Sequence, residues 1–344
     1  MEASRAVIRN THSGERALMR VVTAPDIGTA IIHASVVTIG NFDGVHRGHL
    51  ELFRRLTDCG SRSGLQSIVV TFEPHPLKVL SSDATPPMIT TFEQKVALIE
   101  SAGIDCLVVV PFTAEFALIT AEEFVHEFLC RTLGMRHIVI GHDYAFGRDR
   151  AGNFETLERI GSEEGFSVEY MEPVGEDGVI FSSSLVRRLI AGGDMEGAAR
   201  ILGRYHNVSG TVVRGREIGH AIGFPTANIA TDNELLPPDG VYAVMVSVDG
   251  CLVKGACNVG RNLTFDGKNH TIEVFLLDYS GQIYGQVITV WFVQKLRDVI
   301  RFSGIPSLVE AITQDVLQTR AILENVYATK IVPAVRMGMN ENEI

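Results

Sequence analysis

The chain is poor in tryptophan and cysteine, with one Trp and five Cys in 344 residues. The cysteines, Cys59, Cys106, Cys130, Cys251 and Cys257, are odd in number and show no Cys-x-x-Cys spacing. That excludes a complete disulfide frame and argues against a cysteine zinc site. No apolar run is long enough to span a bilayer, and the N-terminus has no apolar core of a signal peptide. Positive charge is also in deficit: 30 Lys and Arg against 41 Asp and Glu give a net charge of −11. Such a balance argues against a nucleic-acid partner held by non-specific phosphate attraction. A small anionic substrate needs only a local cluster of donors and is not excluded. A reduced cytoplasmic protein is expected, with no membrane and no nucleic-acid partner, as a monomer or weak homo-oligomer.

Hydrophobic content of 46% and charged content of 21% are those of a globular protein, and the length favours two domains. Residues 1–18 are polar and aperiodic, and read as an extension, disordered or ordered on demand. The first half then alternates. Apolar runs at Val36–Ile39, Ser67–Phe72, Cys106–Val110, His137–Ile140 and Ser167–Met171 are separated by helical spacing at 47–60 and 92–102 and by a helix from Thr120 to about Leu133. Thr120 followed by Glu123 forms a capping box there. Unbroken apolar strands between helices imply a doubly wound parallel sheet over 19–203, with Ser184–Leu202 as a helical connector. Ligands of such sheets bind beyond the carboxyl ends of the strands.

The texture changes after Gly203. Short alternating strands at Val208–Val213, Val241–Val248, Cys251–Cys257, Thr271–Asp278 and Val287–Val293 are punctuated by Asp-Gly and Ser-Gly turns. This predicts an antiparallel β-barrel over 204–344, followed by a terminal helix ending around Ala328.

The first distinctive stretch is Gly40-Asn41-Phe42-Asp43-Gly44-Val45-His46-Arg47-Gly48-His49, where a buried strand becomes a helix. Backbone N–H groups at a helix N-terminus can hold a phosphate, and His46 and His49 share a helix face. A His-capped helix or a metal pair are the blander readings, but two histidines alone make a poor metal site. The stretch resembles the nucleotidyltransferase superfamily. Thr71-Phe72-Glu73-Pro74-His75-Pro76, Gly141-His142-Asp143-Tyr144-Ala145-Phe146-Gly147 and Phe181-Ser182-Ser183-Ser184-Leu185-Val186-Arg187 follow in the order seen in bacterial bifunctional riboflavin kinase/FMN adenylyltransferases, the FAD synthetases. The resemblance implies catalytic His46 and His49 stabilising ATP phosphates as pyrophosphate leaves. It also implies an ATP- and phosphate-binding set of Asn41, Asp43, Gly48, Asp143, Ser182, Ser183 and Arg187. Two departures stand out. The family's closing loop usually carries arginine where Leu185 stands, and its fourth-strand loop an arginine or similar polar residue where Ala145 stands. Losing one charged donor at a transition state commonly costs about 2–4 kcal/mol.

The second stretch is Gly215-Arg216-Glu217-Ile218-Gly219-His220-Ala221-Ile222-Gly223-Phe224-Pro225-Thr226-Ala227-Asn228. Its glycines let backbone N–H groups approach phosphates, and Thr226 and Asn228 offer hard oxygens on one side of a strand. It resembles the riboflavin kinase signature, and Asn258–Phe265, Thr271–Tyr279, Leu296-Arg297 and Arg301-Phe302 match the family downstream. The resemblance implies Glu273 as general base, and Thr226 and Asn228 as ligands of Mg2+. Gly215, Gly219, His220 and Gly223 would bind ATP phosphates, and Asn258 and Arg297 the flavin. His220 stands where arginine is usual, and Leu263 where proline is usual. The implied function is ATP-dependent phosphorylation of riboflavin to FMN and adenylylation of FMN to FAD. The alternative is a riboflavin kinase only, whose weak or silent nucleotidyltransferase domain acts as a binding or regulatory module.

Overall fold

Burial on both faces dictates a central place for β2 (Ser35–Ile39), in which every residue is buried. It belongs to a sheet with β1 (Arg20–Thr23), β3 (Gln66–Glu73), β4 (Cys106–Pro111), β5 (Met135–Gly141) and β6 (Ser167–Met171). The order is β1-β4-β3-β2-β5-β6, parallel throughout. This computed structural model describes residues 18–24, 26–28, 34–81, 85–142, 144–215, 219, 222–261, 270–324 and 326. The expectation for residues 1–17 lies outside that range.

Helices cover both faces, as the apolar strands require. On one face Leu52, Phe53 and Leu56 of α1 (Arg47–Ser63) join Val36, Val69 and Val139. Leu98 and Ile99 enter the same cluster from the helix Phe92–Ser101. On the other face Val125, Leu129, Leu157 and Ile160 meet Val37, Val70, Val108 and Ile138. The Thr120 capping box is present, but after Glu123 the helix widens into a π-helix over Phe124–Thr132. The sheet also gains β1, which the sequence reading leaves out. Arg20-Val21-Val22-Thr23 is a four-residue edge strand with only Val22 buried, so it lacks the apolar run of its neighbours.

The connector is two helices rather than one, Ser183–Ala191 and Met195–Leu202. Gly192-Gly193 breaks it, and Gly193 takes a left-handed φ of 80° that costs other residues steric strain. Val186, Ile190, Ile201 and Leu202 of the connector share one apolar cluster with the barrel and with Ile89 of the sheet domain.

The barrel closes in the order β10-β13-β12-β11-β14-β9. Its strands are β9 (His206–Val213), β10 (Thr226–Thr231), β11 (Gly240–Val248), β12 (Cys251–Arg261), β13 (His270–Leu276) and β14 (Val287–Arg297), beyond a two-residue hairpin, β7 (Gly175–Glu176) and β8 (Val179–Ile180), in the first half. Val208, Ile229, Val244, Val259, Val274 and Val290 fill the interior. The terminal helix Ile305–Leu323 seats Leu323 on Met245, Trp291 and Val293 of the outer wall. Polar bonds join the two halves. Gln94 donates to Asn207 at 2.9 Å and accepts from Asn233 at 2.9 Å, and Lys78 pairs with Glu234 at 2.6 Å.

Candidate active site

Beyond β2 the chain makes a tight turn into α1. Phe42, Gly44 and Val45 all carry positive φ, at 49°, 79° and 37°. His46 is the N-cap, and its Nδ1 accepts the His49 N–H at 3.4 Å. That bond leaves the His46 proton on Nε2. The two imidazoles stack with centroids 3.6 Å apart. Gly48 makes room for this arrangement, since a Cβ there would meet the His46 ring at 3.0 Å. His49 Nδ1 is buried and has no hydrogen-bond partner among the described residues. Burial first, then His46 and Arg204, holds the His49 ring well below the ordinary imidazole range. Proton uptake by His49 is therefore disfavoured, so the stacked pair does not carry two positive charges together. The His49 N–H is taken by His46, and the Arg47 and Gly48 N–H groups at the start of α1 have no intrahelical acceptor.

The turn is held from behind. The Asp43 carboxylate accepts from the Ile89 N–H at 3.0 Å, the Thr90 N–H at 3.2 Å and Arg187 Nη2 at 2.5 Å. Arg187 Nε also donates to the Pro87 carbonyl at 2.9 Å. Ser183 Oγ donates to the Asp43 carbonyl at 2.9 Å, and Ser182 Oγ caps its helix by accepting the Leu185 N–H at 3.2 Å. Asp43, Arg187, Ser182 and Ser183 thus all engage the protein itself. Leu185 packs against the apolar cluster shared with the barrel. Asp143 lies outside the described residues.

Asn41 lines a cavity of about 160 Å³ at the sheet edge, with Asp43, Glu73, His75, Lys78, Lys95 and Thr90. Asp232 and Glu234 of the barrel complete it. The sequence reading misses Lys95, Arg204 and Glu234. Lys95 is 8% exposed, and its Nζ has long contacts to Thr71 Oγ1 at 3.5 Å and Glu73 at 3.9 Å. Burial lowers its proton affinity. A lysine in the middle of an amphipathic helix looks like any solvent-face lysine, so only the fold identifies it.

In the barrel, Asn228 stands opposite Glu273, and Glu273 opposite Asn258. Three side chains on adjacent strands β10, β13 and β12 thus form one row. Their chain neighbours Ile229, Ile272, Val274 and Val259 are buried inside, so the row faces outward by strand alternation. The row continues through Val241 to Arg297 on β14. Arg297 itself makes a two-pronged pair with buried Asp315 of the terminal helix, at 2.8 and 2.7 Å.

Gly215 lies beside the row, and Gly219 beside Thr226. A Cβ on Gly215 would fall 2.1 Å from the Asn228 amide, so that amide occupies the space a side chain would take. Gly219 accepts the Phe224 N–H at 2.8 Å, and Gly223 has a φ of 88°. Thr226, two residues before Asn228 on β10, is half-buried like it. Hydroxyl and amide oxygens without a carboxylate or imidazole cluster suit magnesium, which takes its remaining ligands from phosphate and water. Among the described residues no group of three His, Cys, Asp or Glu is placed to hold a metal. His220 and Leu263 lie outside the described residues.

A histidine-capped turn at the edge of a parallel sheet, fused to a barrel carrying an acid–amide row, defines a two-domain nucleotide-dependent enzyme. The FAD synthetase family model matches residues 29–185, and the riboflavin kinase family model matches residues 202–323. A bifunctional riboflavin kinase/FMN adenylyltransferase of Pseudomonas fluorescens is 39% identical over 289 residues, covering 83% of this chain and 92% of that protein. Its Escherichia coli counterpart is 37% identical over 286 residues, covering 83% and 91%. The chain belongs to the bifunctional riboflavin kinase/FMN adenylyltransferase family. A solved structure described as a macrolide-efflux protein from Streptococcus pneumoniae is also similar, with a TM-score of 0.81 and 30% identity over 88% of this chain and 99% of that one. No described helix here is long and apolar enough to cross a membrane.

Proposed function

We infer that the chain makes both flavin cofactors: the barrel phosphorylates riboflavin to FMN, and the sheet domain adenylylates FMN to FAD. The observation that carries this is the Asn228–Glu273–Asn258 row in a chain whose other half presents the stacked His46–His49 pair at a helix N-terminus. The two family matches and the bifunctional relatives favour this over a kinase with a silent partner domain.

In the barrel, Glu273 takes the proton of the ribityl 5′-hydroxyl as that oxygen attacks the γ-phosphorus of ATP, and ADP leaves. Asn228 and Asn258 flank the carboxylate and orient it. Backbone N–H groups of Gly215, Gly219 and Gly223 donate to the phosphates. Thr226 and Asn228 would hold Mg2+, which when bound neutralises phosphate charge. In the sheet domain, a phosphate oxygen of FMN attacks the α-phosphorus of the second ATP, and pyrophosphate leaves. His46, His49 and the first N–H groups of α1 donate to the charge that builds up there. Lys95 and Asn41, in the adjoining cavity, contact the phosphate-bearing substrate. ATP and riboflavin as substrates support a cytoplasmic site of action.

The test is a product profile. Purified protein with riboflavin, ATP and magnesium is expected to form FMN first and FAD after it. FMN accumulating without FAD, even from added FMN, would reject the second activity.

A further inference from the structure

We propose that Arg204 is a positioning residue for adenylyl transfer: its guanidinium, delivered from the segment joining the connector to the barrel, fixes the backbone of the Asp43–His46 turn and so the aim of the histidine pair. The inference rests on the sheet domain carrying out adenylylation.

Three successive carbonyls of that turn are tied from one side. Ser183 Oγ holds the Asp43 carbonyl at 2.9 Å. Arg204 Nη2 donates to the Gly44 carbonyl at 2.6 Å, and its Nη1 to the Val45 carbonyl at 2.9 Å. Nη1 also reaches the Leu202 carbonyl at 3.3 Å. Arg204 is 5% exposed, and its Nε has no partner among the described residues.

A buried cation with only backbone carbonyls for hydrogen-bond acceptors is a costly way to fill space, because an apolar side chain of the same volume would avoid the desolvation. What the fork does provide is geometry. Val45 is β-branched and fully buried at a φ of 37°, a region such residues avoid. With its carbonyl and that of Gly44 fixed, the next peptide can only present His46 and the start of α1 in one direction. Without the fork the peptide is free to relax toward negative φ and carry the ring with it. Burial lowers the Arg204 pKa to about 10 against the opposing Asp43 charge, and after burial and His46 the Arg204 cation adds to what disfavours His49 protonation.

Arg204 makes no hydrogen bond to the Asn228–Glu273–Asn258 row, so the kinase serves as an internal control in the same sample. Arg204→Lys keeps the charge but not the planar fork. Arg204→Met removes both. Steady-state formation of FAD from FMN and of FMN from riboflavin is measured for each. Misplacement of catalytic groups by about 1 Å can cost on the order of 100-fold. A kcat for FAD formation about 100-fold lower is expected in both variants, with KM for FMN and ATP within about 3-fold and riboflavin phosphorylation at the wild-type rate. An unchanged kcat in Arg204→Lys overturns the proposal. So does a rise in KM alone, or a parallel loss of both activities. Should Arg204→Met fail to fold, Arg204→Lys decides. Wild-type protein that makes no FAD from FMN would reject the underlying function itself. Wild-type FAD formation with active variants rejects only the role of Arg204.

Discussion

Asn228 and Glu273 stand directly opposite each other on neighbouring antiparallel strands. Cross-strand partners share a face, so the amide and the carboxylate project from the barrel side by side. Asn258 completes the row on the carboxylate's other flank. A slip of one residue in either strand pair would turn the row inward, so the register that builds the barrel core also builds the site.

Leu185 stands where the family usually has arginine, and the structure gives it an apolar environment. Restoring the cation is therefore expected to bring no gain. Leu185→Arg should leave the FAD-forming rate within about 2-fold of wild type and lower stability by about 1–3 kcal/mol, the usual range for a damaged packing position. The check is a denaturant titration run beside the FAD assay. A several-fold rise in FAD formation would mean that the site lacks a charge.

Lys95 combines a buried ammonium with long polar contacts. Lys95→Met keeps much of the volume and removes the desolvated charge. Stability is expected to hold or to rise by about 1 kcal/mol, since apolar replacements of buried ions are often neutral or better. FAD formation should fall at least about 10-fold while riboflavin phosphorylation is untouched. Loss of stability with FAD formation intact would assign Lys95 to the scaffold.

Arg297 is expected from the sequence to contact flavin, yet it pairs with Asp315 and ties the terminal helix to β14. Asp315 is 5% exposed, so removing its partner strands a charge. Arg297→Met should cost roughly 2–4 kcal/mol, somewhat under the range for fully buried pairs because Arg297 is partly exposed. Equilibrium unfolding of Arg297→Met and Asp315→Asn measures this. Equal stability of both variants and wild type would leave Arg297 free for the flavin.

His206 is buried, and its Nε2 faces the Leu235 carbonyl at 3.2 Å. Burial lowers its pKa from 6.5 to about 4. The unfolded chain then binds this proton more readily than the folded one. The contribution is fully present above about pH 6.5 and is lost as pH falls toward 4, amounting to about 3 kcal/mol. Buried His49 adds to it in the same sense. Unfolding free energies measured between pH 7 and 4 should fall with that slope, and less steeply in His206→Gln. A pH-independent stability across the window would mean that both imidazoles titrate normally.

The doubly wound sheet was legible because β2, β3, β4 and β5 are apolar on both faces, a pattern no exposed strand would carry. β1 was not, because an edge strand with one buried residue leaves almost no periodic signal. The split of the connector could have been read from Gly192-Gly193. Glu273, Asn228 and Asn258 were found from motif resemblance, and their assembly into one row needed the strand register. Lys95 and Arg204 carried no local sign. Each gains its environment from residues far along the chain, Thr71 and Glu73 for one, Gly44 and Val45 for the other.

The most direct test separates the two activities in one molecule. ADP and pyrophosphate release are followed for wild type and Glu273→Gln, each given either riboflavin or FMN with ATP and magnesium. Loss of a general base commonly costs about 100- to 10,000-fold. With riboflavin, the variant is expected to lose ADP release to that degree and to form no FAD. With FMN, it should release pyrophosphate and form FAD at the wild-type rate. Riboflavin phosphorylation at the wild-type rate in Glu273→Gln, or loss of both reactions together, would contradict two independent sites on one chain.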